Sequence, residues 1–93
     1  MSSKRIRYEK TEDPFVVRSK NFYTGDGRQV YVKLHKVAMV YDVYDVNNGE
    51  RMLTGGLTKS FVVLLRKAKE ALLGLGVVLE KEVRKDYVKG ITN

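Results

Sequence analysis

Apolar residues change their spacing once along this chain, and that change restricts the class of fold. From Gln29 to His35 they alternate: Val30, Val32 and Leu34 fall on one side, Gln29, Tyr31, Lys33 and His35 on the other. Period-two alternation marks a half-buried strand, because successive side chains on a strand point to opposite faces. From Phe61 to Leu75 the spacing becomes three and four. Phe61, Leu64, Leu65, Ala68, Leu72 and Leu75 then form one stripe of an amphipathic helix, and Lys59, Arg66, Lys67, Lys69 and Glu70 fill the other positions. Strands first and one helix afterwards imply an α+β layout.

The rest of the chain fits around these two segments. Phe15-Val16-Val17 opens a first apolar run that continues to Phe22-Tyr23 and stops at Thr24-Gly25-Asp26-Gly27, a turn sequence. Val37 to Val46 is rich in valine and tyrosine, which favour pleated surfaces. Since most strands have only ~3–10 residues, the long stretch from Gln29 to Val46 needs a tight turn or bulge, expected near His35-Lys36. Asn47-Asn48-Gly49 is a hairpin signal, and Glu50 to Thr54 returns as a short strand ending at Gly55-Gly56. Thr58 is the expected helix N-cap, with the helix running from Lys59, and Gly74 and Gly76 suit its C-terminal end. Val77-Val78-Leu79 and the charged residues after it read as an extra C-terminal strand, with a helical continuation as the alternative. The expected fold is a curved antiparallel four-stranded sheet followed by one helix, β-β-β-β-α. Residues 1–14 are expected to be a flexible basic arm, 15–84 a single domain and 85–93 a tail. One helix covers little of a four-stranded sheet, so the other face must meet solvent, a ligand or a second subunit.

Composition excludes more than it proposes. The chain has 93 residues, 43% hydrophobic and 31% charged, which is globular and short enough for one core. Eighteen Lys and Arg against 11 Asp and Glu give a net charge of +7, so the expected partner is a polyanion, nucleic acid before anionic membrane. There is no cysteine, hence no disulfide framework, thiol nucleophile or thiolate metal site, and an intracellular location in cytoplasm or nucleoid is expected. A single histidine excludes a multi-histidine metal centre. The basic N-terminus leads into no apolar core, and no apolar stretch approaches the ~20 residues of a membrane span, so neither a secretory signal nor a membrane partner is expected.

Catalysis finds little support. His35 is the one general-base candidate with a near-neutral reference pKa. Ser19 and Ser60 lack a nucleophile-elbow context. Asp42 and Asp45 are three apart on an expected strand and point to opposite faces. Glu80 and Glu82 would share a face, but beside Lys81 they read as solvated charge. Gly25-Asp26-Gly27 is a turn and not a nucleotide loop, since no Lys-Ser/Thr follows it. No enzyme activity, cofactor or metal is expected.

The face bearing Tyr31, Lys33 and His35 carries the functional expectation. Aromatic rings offer stacking surfaces worth ~1–3 kcal/mol per base, and interleaved cations neutralise phosphates. If residues 15–23 form an adjacent strand, Arg18, Lys20 and Phe22 share one of its faces and extend the patch. Arg28, Lys36 and Arg51 complete the expected nucleic-acid-binding set. Tyrosines are also ordinary strand residues, and lysines keep an exposed face soluble. Residues 37–50 hold Asp42, Asp45 and Glu50 but no basic residue, so the third strand is not expected in a basic groove, and Tyr41 and Val43 are expected to pack or to meet a partner chain.

Over residues 15–76 the pattern resembles the single-stranded-DNA-binding transcriptional coactivators of the PC4 type, relatives in fold of the Whirly proteins. The stretches that carry the resemblance are Tyr31-Val32-Lys33-Leu34, Val40-Tyr41-Asp42-Val43, the Asn48-Gly49-Glu50 turn, and Gly55-Gly56-Leu57-Thr58 leading into the helix. Departures are the short link between the second and third strands, the missing tryptophan and the segment after Gly76. The resemblance implies a homodimer with grooves for two antiparallel single strands, lined by Tyr31 and Lys33 with Arg51 close by, and helices that pair the subunits. A fainter similarity to the double-stranded-RNA-binding domain rests on Lys59, Lys67, Ala68, Ala71 and Leu72, but that domain begins with a helix and this chain does not. The function expected is binding of nucleic acid, single-stranded DNA before other forms, in transcription or replication. The rival is a protein-interaction or assembly module using the open sheet face.

Overall fold

A computed structural model describes residues 6–79. Six strands precede one helix: β1 Tyr8–Lys10, β2 Val16–Ser19, β3 Phe22–Tyr23, β4 Gln29–His35, β5 Val40–Asp45, β6 Arg51–Gly56 and α1 Phe61–Gly74. All pairings are antiparallel, in the order β1-β2-β4-β5-β6, with β3 also on β4. The chain is thus α+β, an open antiparallel sheet with one C-terminal helix.

The sheet has two more strands than expected, and both additions have a physical cause. The run from Phe15 to Tyr23 breaks at Lys20-Asn21, and its halves pair with opposite ends of β4. Ser19 fills the break: its hydroxyl, fully buried, accepts from the Val32 amide at 3.0 Å and donates to the Lys20 carbonyl at 2.7 Å. A buried amide without a partner would cost about 1–3 kcal/mol, so this hydroxyl does the work of a ladder partner. The expected flexible arm is corrected at residues 8–10, where Tyr8, Glu9 and Lys10 pair with Ser19, Arg18 and Val17; residues 1–5 of that arm lie outside the described residues.

The turns fall where their chemistry placed them. β4 ends at His35, and residues 36–39 turn back, with the Met39 amide donating to the His35 carbonyl at 2.8 Å. After β5 the Asp45 carboxylate accepts from the amides of Asn47 and Asn48, and Gly49 takes a positive φ of 72°. The helix start is corrected from Lys59 to Phe61. Ser60, not Thr58, is the N-cap, accepting from the amides of Val62 and Val63, while Thr58 donates to the Ser60 carbonyl.

The helix ends in a Schellman motif: Val77 N–H bonds the Leu72 carbonyl, Gly76 N–H bonds that of Leu73, and Gly76 has φ 87°. Val77 and Leu79 then enter the core without forming a strand. The remainder of the expected C-terminal strand and the tail lie outside the described residues.

Val30, Val32 and Leu34 of β4 and Val43 of β5 bury fully against Leu64, Ala68 and Leu72 of α1. Phe61, Leu65 and Leu75 flank them, so the helix presents the stripe its sequence spelled. The core therefore lies on one side of the sheet, and the side chains opposite it form an open face.

Candidate nucleic-acid interface

Register determines which side chains share the open face, because residues directly opposite on paired strands point the same way. One row runs Glu9, Arg18, Lys33, Asp42 and Thr54; the next runs Tyr31, Tyr44 and Arg51; a third runs Val16, His35 and Val40. Five of the nine expected residues are brought together here: Arg18, Tyr31, Lys33, His35 and Arg51.

A ladder of rings and cations occupies its centre. Tyr31 and Tyr44 stack with centroids 5.5 Å apart and planes 15° from parallel. The Arg18 guanidinium carbon lies 3.7 Å from the Tyr31 centroid, and the Lys33 ammonium 5.1 Å from that of Tyr44. Arg18 is itself held in place, donating to the Ser19 carbonyl at 2.9 Å and to the Asn21 side chain at 2.8 Å. Arg18 comes from β2 and Tyr44 from β5, so they meet Tyr31 from opposite sides and occupy both of its faces. Tyr44 is half-buried and carries Tyr31 on one face, with Arg51 opposite it on β6.

Asp42 is the hub of the remaining charge. One carboxylate oxygen lies 2.8 Å from His35 Nε2, and the other lies 3.8 Å from the Arg51 guanidinium. The carboxylate is buried, while the Arg51 side chain is more than half exposed. The second oxygen is buried without a hydrogen bond. The positive charge of Arg51 is thus partly balanced from below.

The other four expected residues stand apart. Phe22 lies opposite Val30 and packs against the core, so it is not on the open face. The expectation failed because counting by twos from Arg18 assumes an unbroken strand, and the break at Lys20-Asn21 resets which side faces out. Lys20 goes with Phe22, its ammonium 5.7 Å from that ring. Arg28 sits in the turn before β4, 3.6 Å from Asp26. The Thr24 hydroxyl, then the Arg28 amide and guanidinium, hold the Asp26 carboxyl below the usual carboxylate range. Lys36 is exposed in the turn after β4.

Sequence reasoning missed Tyr44 and Asp42. The split of Asp42 and Asp45 to opposite faces holds, as does the inward packing of Tyr41 and Val43. What was lacking was the β4–β5 register, which sets Tyr44 beside Tyr31 and brings the third strand into the site. Among the described residues no group of three or more His, Asp or Glu side chains is placed to hold a metal ion, and no helix is long and apolar enough to cross a membrane. No protein-family model, curated protein or solved structure matches the chain, so the likeness to other proteins adds nothing to this geometry.

Proposed function

We propose that the protein binds nucleic acid on the open sheet face, single-stranded DNA in preference to duplex, as a homodimer. The observation that carries this reading is the Arg18–Tyr31–Tyr44–Lys33 ladder on the side of the sheet opposite the helix. Tyr44, backed by Tyr31, would offer a firm platform, and a base reaches such a platform only when it is not already stacked in a duplex. Lys33, Arg18 and Arg51 flank the rings and meet the phosphates. Order of sheet and helix also agrees with the resemblance to PC4-type coactivators, while β1 and β3 depart from it. A role in transcription or replication, in cytoplasm or nucleoid, belongs to the same proposal.

A second reading has its own observation. Both faces of Tyr31 are occupied, and His35 and Arg51 are engaged by Asp42, so part of the face is already internally satisfied. A face of that kind also suits a protein interface.

Titration against single-stranded and duplex oligonucleotides of equal length, at low and near-physiological salt, separates the two. Nucleic-acid binding predicts tighter single-strand binding that weakens with salt. It also predicts that Tyr44→Leu, which keeps bulk but loses the ring, weakens single-strand binding by ~1–3 kcal/mol. No binding to either at low salt would overturn the proposal in favour of the protein interface.

A further inference from the structure

Asp42 carries its charge where that charge must be balanced locally. It stands on the open face yet is only 5% exposed, and a buried carboxylate is costly unless it is paired. Its two oxygens are served unequally. One lies 2.8 Å from His35 Nε2, at hydrogen-bond distance. The other accepts no hydrogen bond, and the Arg51 guanidinium faces it at 3.8 Å. Arg51 is thus held by charge alone, with its side chain 56% exposed to solvent.

The two partners also differ in chemistry. A guanidinium stays charged throughout, whereas an imidazole ordinarily changes charge between pH ~5 and ~8. The other charged groups nearby are engaged elsewhere. Lys33 lies opposite Asp42, but its ammonium stands over the Tyr44 ring. Arg18 and Glu9 continue that row on β2 and β1, with Arg18 stacked on Tyr31. Lys36 is exposed in the turn beyond His35, and α1 packs on the other side of the sheet.

We infer that His35, Asp42 and Arg51 form a proton-operated latch on the binding face. With a neutral imidazole, Arg51 is the cation that balances Asp42, and it is withheld from a ligand. A proton on His35 turns the 2.8 Å contact into a charge-assisted hydrogen bond, which balances the carboxylate without Arg51. Arg51 is then released to a phosphate. No covalent bond changes, and the proton taken up from solvent is the one species added. By linkage, a polyanion that takes Arg51 favours the protonated imidazole by the same factor. Binding therefore tightens as pH falls through the imidazole range and loosens as it rises. This inference rests on the proposed function for its ligand, a nucleic-acid phosphate, and adds a control to that site.

What Arg51 contributes on either side of the imidazole titration tests the latch. Wild type and Arg51→Gln are titrated with a single-stranded oligonucleotide at pH ~8 and ~5.5. Loss of Arg51 is expected to weaken binding less than about twofold at the higher pH and about fivefold at the lower, the range of an exposed ion pair. A histidine that merely added charge would make the loss equal at both, which would overturn the latch. His35→Gln keeps a donor for Asp42 but does not titrate, so in that background the loss is expected to be the same at both. A second readout needs no ligand. The carbon resonance of the Arg51 guanidinium is expected to move with pH across the imidazole range in wild type and to stay fixed in His35→Gln. An Arg51 signal indifferent to His35 would overturn the latch. An oligonucleotide that binds at neither pH would overturn the proposed function instead, and the Arg51 resonance would then decide the latch by itself.

Discussion

Tyr8 is a phenol whose hydroxyl is buried without a hydrogen-bond partner, and burial pushes its pKa up to about 12. Burial favours the neutral form, so the folded state holds this proton more tightly than the unfolded chain, where the group titrates near ~10. Its contribution to stability is fully present below that value and is lost as pH rises through the folded pKa. Tyr8→Phe removes both the unpaired hydroxyl and the proton. The variant is expected to match or exceed wild-type stability at neutral pH and to lose less of it between pH ~10 and ~12, read from urea melts across that range. At this scale the sequence was partly legible. The parity of β4 named Tyr31, Lys33 and His35 as neighbours on one face. It said nothing of Ser19 replacing a strand partner, and that replacement is why Phe22 turns to the core.

Among the elements, the helix C-terminus is the most sharply constrained. Gly76 has a positive φ, and a Cβ there would stand 2.7 Å from the Gly25 nitrogen, whose N–H bonds the Leu75 carbonyl. The left-handed conformation alone costs other residues roughly 1–2 kcal/mol, and the clash with backbone adds to it. Gly74, two residues earlier in the helix, has nothing within 4 Å of its would-be Cβ. Gly76→Ala is therefore expected to destabilise by more than about 1 kcal/mol, and Gly74→Ala to stabilise by about 0.5–1 kcal/mol. Chemical denaturation of the two variants checks the opposite signs. The helix stripe, the Asn-Gly hairpin and this glycine cap were all legible, because each is a local rule. Strands β1 and β3 were not, because two or three residues have no period of their own and become strands only through their neighbours. The N-cap was misplaced because Thr58 and Ser60 are both capping residues, and local sequence does not rank them.

For the whole molecule, the question is whether its charge acts as a diffuse cloud or through one face. Lys33 stands on the open face and Lys67 is exposed on the helix, on the opposite side of the sheet. If the open face holds the nucleic acid, Lys33→Gln is expected to reduce the slope of log affinity against log salt by about 1, and Lys67→Gln to leave it unchanged. Equal effects would indicate a general polycation. Net charge was legible by counting, and it pointed to a polyanion. Which cations are engaged was not: Asp42 draws in His35 from β4 and Arg51 from β6, and that meeting exists only once the strands are in register.

The Tyr31–Tyr44 stack also has an optical consequence. The chain contains no tryptophan, so its near-ultraviolet absorption, circular dichroism and emission come chiefly from six tyrosines. Two of these lie nearly parallel at 5.5 Å, close enough for their transitions to couple. The open face thus carries its own chromophore pair, and whatever settles against Tyr44, a base or another protein, changes a signal that needs no label to be seen.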